Sequence, residues 1–576
     1  AAILEKQHRT KLIALYVCRF QARIIVVDRG SFVISNPFGW RTKDDPTLYE
    51  FFWRLALLSG SKEVLGFDLS KTLSDFRGVC EQSKWDLRVK KMCKQWVDYI
   101  SRKMRLSMPT SQWPFYRLNI CGKKYLIAAP STTSSALFGP SRRIFIAYCE
   151  DDDELRTVKD YWRLDSDAPA PREHDIYARL AVTKVRNVPE CECGEDVTVG
   201  PGGDQQRTAT LDRWGPDPPR TKTLVHYRIV LKQVYKPLLN FGDFQSLCGD
   251  LADAMEAHLD ACEKAHLIHR SISLWSVGLY VFPGEVTPRC LLGDWEWAKT
   301  EEEIAQRRAR RDVIPGAWYF HSALVANFPA RGHAVSDDVE SFIHLFQYSV
   351  LRFTRTSCTP HFLLKALYKI DEAKILPKIV NMVYGDYVLF DGERYNGGDN
   401  KLLFTQRSTS WIKPQDKQKK PLTALLKELA KMVHEHYGTF NADDYTEEFY
   451  SRDSESPTVL FSDMKISSDD DGGSKVGGES DYAMSDADDG ADKDAEDPDK
   501  DTMDTEDSAP PWLPSYDGPF TTSDSKVLEE NGPLKNHAGL LNLFRKYHGE
   551  VRWRKEEAKI DGDLFLLAYR SKAKKR

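Results

Sequence analysis

No stretch of this sequence is apolar enough to cross a bilayer. The longest runs, Phe51 to Leu58 and Ile24 to Val27, fall far short of the roughly 20 residues a spanning helix needs, so no membrane partner is expected. Paired metal-ligating cysteines are missing too. The eleven cysteines are odd in number and dispersed, and Cys191 and Cys193 form a lone Cys-x-Cys with no second pair at zinc-ligand spacing. With no secretory leader legible, this pattern predicts reduced thiols in an intracellular, cytoplasmic or nuclear protein. Also lacking is a basic stripe with interleaved aromatics, which argues against nucleic acid as a partner. The chain opens Ala1-Ala2-Ile3 without methionine, as a fragment or a processed chain would.

Hydrophobic residues make up 41% of the 576 residues and aromatics 11%, enough for a sizeable core. The net charge of −5 is spread unevenly. From Asp463 to Ser508, 18 acidic residues face 4 basic ones, a local −14 that leaves +9 on the remainder. Residues 463–512 are also rich in Ser and Gly and nearly free of large apolar groups. They cannot repay the entropy of ordering and are expected to be a disordered linker. Its serines beside acids (Ser467, Ser468, Ser485) suit an acid-directed kinase, and the terminal Lys572 to Arg576 resembles a short import signal.

Along the chain, residues 20–35 alternate around Asp28-Arg29-Gly30-Ser31, as two short strands joined by a turn would. Thr47 to Leu58 reads as a helix, with Asp45 as its N-cap and Pro46 at its first position. Ser70 to Phe76 and Ser83 to Lys103 carry helical patterns. Tyr116 to Ile120, Lys124 to Ala129 and Arg143 to Cys149 read as strands, Glu173 to Thr183 as an amphipathic helix, and 190–222 as a long loop. Val225 to Lys232 reads as a strand. Phe241 to Ala265, Asp337 to Arg352 and His537 to Tyr547 read as helices.

Two motifs carry chemistry. The first is Ala265-His266-Leu267-Ile268-His269-Arg270-Ser271-Ile272-Ser273. The second, some twenty residues later, is Leu291-Leu292-Gly293-Asp294-Trp295-Glu296. A protein-kinase catalytic loop spells His-Arg-Asp and, after four residues, Asn; here those two polar positions hold Ser271 and Ser276. Further segments occur in the matching order: Gly66-Phe67-Asp68, Val158-Lys159-Asp160-Tyr161-Trp162, His226 to Lys232, Gly316-Ala317-Trp318-Tyr319-Phe320, and His333 with Asp337-Asp338-Val339-Glu340-Ser341-Phe342. Together, from about residue 20 to about 450, the chain resembles the fungal-type protein kinase family.

That resemblance implies an α+β, two-lobed protein-kinase-like fold with an N-terminal extension and an acidic disordered insert near its C-terminus. The expected divisions are 1–112 (extension), 113–236 (N-lobe, mainly strands), 237–455 (C-lobe, mainly helical), 456–530 (acidic linker) and 531–576 (short helical, basic segment). It also implies site roles. Lys159 would meet the phosphates of ATP, Glu173 would hold Lys159, and Gly139 would lie in the phosphate-covering loop Leu137 to Arg142. In that loop Pro140 removes an amide donor and Arg142 or Arg143 could compensate by charge. Asp294 would sit at the magnesium-binding position and Ser276 at the degenerate second one, where a neutral hydroxyl is a poor ligand for a hard cation. His269 and Arg270 would be architectural, with Asp338 accepting backbone amides of the catalytic loop. Ser271 takes the place of the aspartate that accepts the substrate's proton. Serine is no comparable base near neutral pH, and losing a placed base costs roughly 10²–10⁴-fold. Glu296 is a candidate substitute carboxylate. The reading is a pseudokinase that works through protein partners with residual ATP binding; the alternative is a weakly active Ser/Thr kinase.

Overall fold

The computed structural model describes residues 10–41, 45–58, 68, 71–74, 115–127, 130–133, 137–165, 171–199, 202–209, 223–282, 285, 287–307, 318–328, 332–357, 383–384, 387–390, 394–438 and 532–564. The expected helix Ser83 to Lys103, the acidic stretch, Gly66-Phe67, Gly316-Ala317 and the basic terminus lie outside these residues.

Near the N-terminus, β1 (Lys11–Cys18), β2 (Gln21–Asp28) and β3 (Phe32–Ile34) form an antiparallel meander. The turn after β2 is made by Asp28, whose carboxylate accepts the amides of Gly30 at 2.8 Å and Ser31 at 3.1 Å, as turn-forming aspartates do. Gly30 is required there, because a Cβ would come within 2.9 Å of the Thr208 hydroxyl. Helix α1 (Thr47–Leu58) follows, with Asp45 accepting the Thr47 amide at 3.1 Å.

A larger, wholly antiparallel sheet takes β4 (Lys71–Ser74), β5 (Phe115–Ile120), β6 (Lys123–Ile127), β7 (Arg143–Cys149) and β8 (Glu154–Leu164). After α2 (Glu173–Val182) it is completed by β9 (Cys191–Asp196) and β10 (Leu224–Leu231). Its order is β9-β10-β8-β7-β6-β5-β4, with Thr132–Thr133 also paired to β7. Two expectations need correction. Lys71–Ser74 is a strand rather than part of a helix, because a four-residue stretch takes its conformation from the ladder β5 offers, Lys71 opposite Leu118 through Ser74 opposite Phe115. Within the expected loop 190–222, Cys191–Asp196 is an edge strand paired to β10, its Cys193 packed against the core of Leu118, Tyr125 and Val158. Turn-forming residues in that stretch concealed the pairing.

Helices dominate the remainder: α3 (Phe244–Ala265), the paired strands β11 (Val277–Tyr280) and β12 (Arg289–Leu292), then α4 (Val335–Phe353), α5 (Lys420–His436) and α6 (Ala538–Arg545). Asp243 and Ser246 cap α3 reciprocally, each side-chain oxygen accepting the other's amide. The apolar faces of α3, α4, α5 and α6 share one core with Tyr161, Ile176 and Tyr177 from the sheet side. The C-terminal segment belongs to this core: Leu534, Leu540 and Phe544 are fully buried, and the Phe544 ring lies 5.7 Å from Phe346. The architecture is mixed helix and sheet, as a kinase-like fold requires.

Side-chain alternation along β8 sorts chemistry between its two faces. Lys159 and Tyr161 point one way; Val158 and Asp160 point the other, where Asp160 is wholly buried. Asp160 stands directly across from Arg143 on β7 and Arg228 on β10. Arg143 approaches it at 3.2 Å, Lys71 at 2.7 Å, Arg228 at 3.5 Å, and the His226 ring also meets it. Asp68 adds a second carboxylate, 3.2 Å from Arg228. Burial lowers the His226 pKa against the pull of Asp160, while Asp160 itself is held ionised: burial opposes its charge, but Arg143 and Lys71 outweigh it. Lys71 and Asp68 are thereby anchored to the sheet by charge. Removing one partner of such a buried network leaves the others uncompensated. Asp160→Ala is therefore expected to cost about 3–5 kcal/mol, read as a lowered urea midpoint; a loss below about 1 kcal/mol would show the network to be dispensable.

Candidate active site

Lys159 lies mid-strand on β8, on the face that looks toward α2. Glu173 opens that helix, where the positive end of the helix dipole favours a carboxylate. Their charged ends meet at 2.9 Å, and Tyr161 donates its hydroxyl to the same carboxylate at 3.0 Å. Asp294 follows β12 and Gly293, held in left-handed geometry with φ +67°. Its two oxygens face two cations: one meets Lys159, the other Arg142 at 3.2 Å. Glu296, two residues further on, reaches Lys159 at 2.8 Å and also pairs with Arg142.

Two cations therefore confront three carboxylates, a surplus of one negative charge in a space where Lys159 is 4% and Glu173 3% exposed. Burial opposes the Lys159 charge, yet Asp294, Glu173 and Glu296 outweigh it and hold its pKa above the usual lysine range. Burial likewise works against ionised Asp294, but Arg142 and Lys159 keep it well below the ordinary carboxylate value. The surplus falls on Glu173. Burial, helped by Glu296 and Asp294 and opposed by Lys159, pushes its pKa up to about 7.

The segment that should cover phosphates is committed elsewhere. Gly139, at φ +87°, gives its amide to the Arg29 carbonyl at 2.9 Å, and the Arg29 guanidinium reaches Leu137 O at 3.2 Å. The turn of the N-terminal meander thus pins this loop. Pro140 lends its carbonyl to Trp162 N at 2.8 Å, and the loop ends in Arg142 beside Asp294.

The first motif forms a hydrogen-bonded loop. His269 is fully buried; burial lowers its pKa to about 4, so the neutral ring donates from Nε2 to Gly293 O at 2.9 Å and accepts the Ser271 amide on Nδ1 at 3.2 Å. The edge of Trp295 packs against it, ring centres 4.5 Å apart. Arg270, at φ +67°, donates its amide to Asp338 at 2.8 Å. Ser276 accepts the Ser273 amide at 2.8 Å and returns its hydroxyl to Ser273 O at 3.0 Å. Ser271 is buried at 3% exposure.

These positions test whether magnesium fits. Asp294 is the one carboxylate at the expected place, both its oxygens are taken by cations, and the Ser276 hydroxyl is turned to its own loop. The residues do not fit a divalent ion. For nucleotide phosphates, the cation available is Lys159, already neutralised by three carboxylates. The structure brings Lys159, Glu173 and Asp294 together; the Gly139 amide is taken by Arg29, and the Ser271 amide and Ser276 hydroxyl are engaged within their own loop. The part of Arg142 as a cation on Asp294 was foreshadowed only by its charge. Asp68, Asp160, His226 and Arg228 lie in segments that carry the family resemblance, but nothing in the sequence announced that they meet, nor that His258 meets Asp338 and His537, since these residues lie far apart along the chain.

A lysine–glutamate pair on a strand and helix, an aspartate after the next hairpin and a histidine–arginine loop anchored on a helix carboxylate define a protein-kinase-like protein. Residues 1–350 match the sequence profile of the family described as fungal protein kinase, more than half the chain. The chain belongs to the fungal protein kinase family. No curated protein matches it. Among the described residues, no helix is long and apolar enough to cross a membrane.

Because Glu173 takes up a proton more readily in the folded chain than in the unfolded one, stability should fall as pH rises from about 4.5 through 7. Glu173→Gln should flatten that part of the profile in urea midpoints measured from pH 5 to 8. An unchanged slope would remove Glu173 as the residue carrying the surplus charge.

Proposed function

We propose that this family member is a pseudokinase: a two-lobed kinase framework, with the sheet as N-lobe and the helices as C-lobe, that acts by binding protein partners rather than by transferring phosphate. The observation that carries the reading is Arg142 seated with Lys159 against Asp294 and Glu296. A guanidinium there supplies, from within the chain, positive charge that a kinase would take from its metal.

Chemistry at the neighbouring position agrees. A phosphotransferase needs placement and charge neutralisation of the transferring group, with a carboxylate to receive the hydroxyl proton. Ser271 offers no such carboxylate. Glu296, the sequence candidate for a substitute, is spent on Lys159 and Arg142. Lost base, lost metal ligand and a committed loop amide weaken the same reaction at separate points, and such losses do not add simply. Nucleotide binding, where it persists, rests on Lys159 displacing its carboxylate partners, and needs no metal. No described feature names the protein partner.

Thermal-shift measurements with ATP, with and without magnesium or manganese, test the reading. The expected result is that metal adds less than about 1 °C, a change too small to signify binding on the scale of domain melting. Phosphate incorporation into a generic substrate that vanishes in Asp294→Ala would establish the weakly active kinase instead. Ser271→Asp is expected to restore little transfer, because the metal site and loop are also lost.

A further inference from the structure

Behind the His269–Arg270 loop lies a buried cluster that the active-site reading does not use. His258, on α3, is fully buried and presents its two ring nitrogens to different partners. Nε2 lies 2.9 Å from Asp338 Oδ2, the same oxygen that accepts the Arg270 amide at 2.8 Å. Nδ1 lies 2.6 Å from Nε2 of His537, a residue of the C-terminal segment 279 positions away. His333 takes the other Asp338 oxygen at 3.0 Å.

Proton positions follow from the chemistry of the groups. An ionised carboxylate only accepts, so His258 Nε2 carries a hydrogen; two facing nitrogens 2.6 Å apart share one more. The groups around the ring place that second hydrogen on His258. Burial opposes its charge, but Cys262 on the same helix and Asp338 outweigh burial and raise it to about 10. Burial and the His258 charge lower His537 to about 3, leaving it the neutral acceptor. His269 and His333 complete the ionisable surroundings, His269 as a neutral ring.

Cys262 makes the set of His258, Cys262 and His537 look like a metal centre, with ligand atoms within 4.8 Å of one another. The directions disagree with a single ion. The sulfur approaches His258 from the Nε2 side, at 3.9 Å, whereas His537 meets Nδ1, and the thiol is also turned to Leu267 O at 3.4 Å.

We propose that the C-terminal segment is an intramolecular ligand of the kinase framework, and that His537 acts through His258 and Asp338 as a positioning residue for the His269–Arg270 loop. The segment is seated for this. Leu534, Leu540 and Phe544 are buried in the shared core, Lys546 pairs with Glu428 at 3.2 Å, and Gln245 donates to His548 O at 2.8 Å. Gly249 of α3 makes the contact close, since a Cβ there would come within 2.6 Å of the His548 ring. The catalytic loop is then held from behind by a segment outside the residues that match the family profile.

Two near-isosteric variants of the full chain separate a specific acceptor from mere filling. His537→Gln can place an oxygen near the lost Nε2; His537→Asn reaches only the Nδ1 position. Amide hydrogen exchange of residues 267–273 is expected to quicken about tenfold or more in His537→Asn, the scale of losing a bond to a charged group, and to stay within about threefold of wild type in His537→Gln. Equal exchange in the two His537 variants, or wild-type rates in both, would overturn the proposal. So would stoichiometric metal in the purified wild-type chain that is lost in Cys262→Ala.

Discussion

The arrangement of the candidate site depends on how the Lys159 ammonium is neutralised. A buried cation needs close anionic partners, and Lys159 has three. Glu173 comes from the helix that packs over the sheet, and Asp294 and Glu296 come from beyond the β12 hairpin. These contacts tie β8, α2 and the metal-loop segment to one point. Against Lys159 alone the three carboxylates leave two negative charges too many; Arg142 answers one from the end of the pinned loop, and the other falls on Glu173. One electrostatic requirement thus fixes both the geometry that resembles a kinase and the guanidinium that sets this chain apart from an ordinary one.

Elsewhere the framework relies on the same device at greater depth. Asp160 gathers Arg143 and Arg228 from the two strands beside β8 and Lys71 from β4 at the end of the sheet order, joining β4 to its centre. Asp338 gathers His258, His333 and the Arg270 amide below the catalytic loop. Each carboxylate is an architectural hub that asks nothing of phosphate chemistry. This accounts for a loop that keeps His269, Arg270 and their anchors while Ser271 and Ser276 stand where a base and a ligand would be.

Much of this was legible in the sequence where local pattern sets structure. The alternation in Arg143 to Cys149 and the helical periods of Glu173 to Thr183 and Asp337 to Arg352 reappear within a residue or two at most boundaries. Membership of the fungal protein kinase family was legible because several short motifs recur in order. Less legible were elements whose conformation comes from distant partners: Lys71–Ser74 became a strand because β5 lies beside it, and Cys191–Asp196 because β10 offered an edge. The same limit hid the buried networks. Nothing local to His258 announces His537, and nothing local to Gly139 announces that Arg29 takes its amide.

The central claim is that Arg142 fills the charge position of a metal at Asp294. Manganese binding followed by electron paramagnetic resonance on the wild type, Arg142→Gln and the Arg142→Gln/Asp294→Ala double variant addresses it directly. The account predicts no stoichiometric site in the wild type, and a site gained in Arg142→Gln that disappears with Asp294. One equivalent of manganese bound to the wild type and lost with Asp294 alone would contradict it.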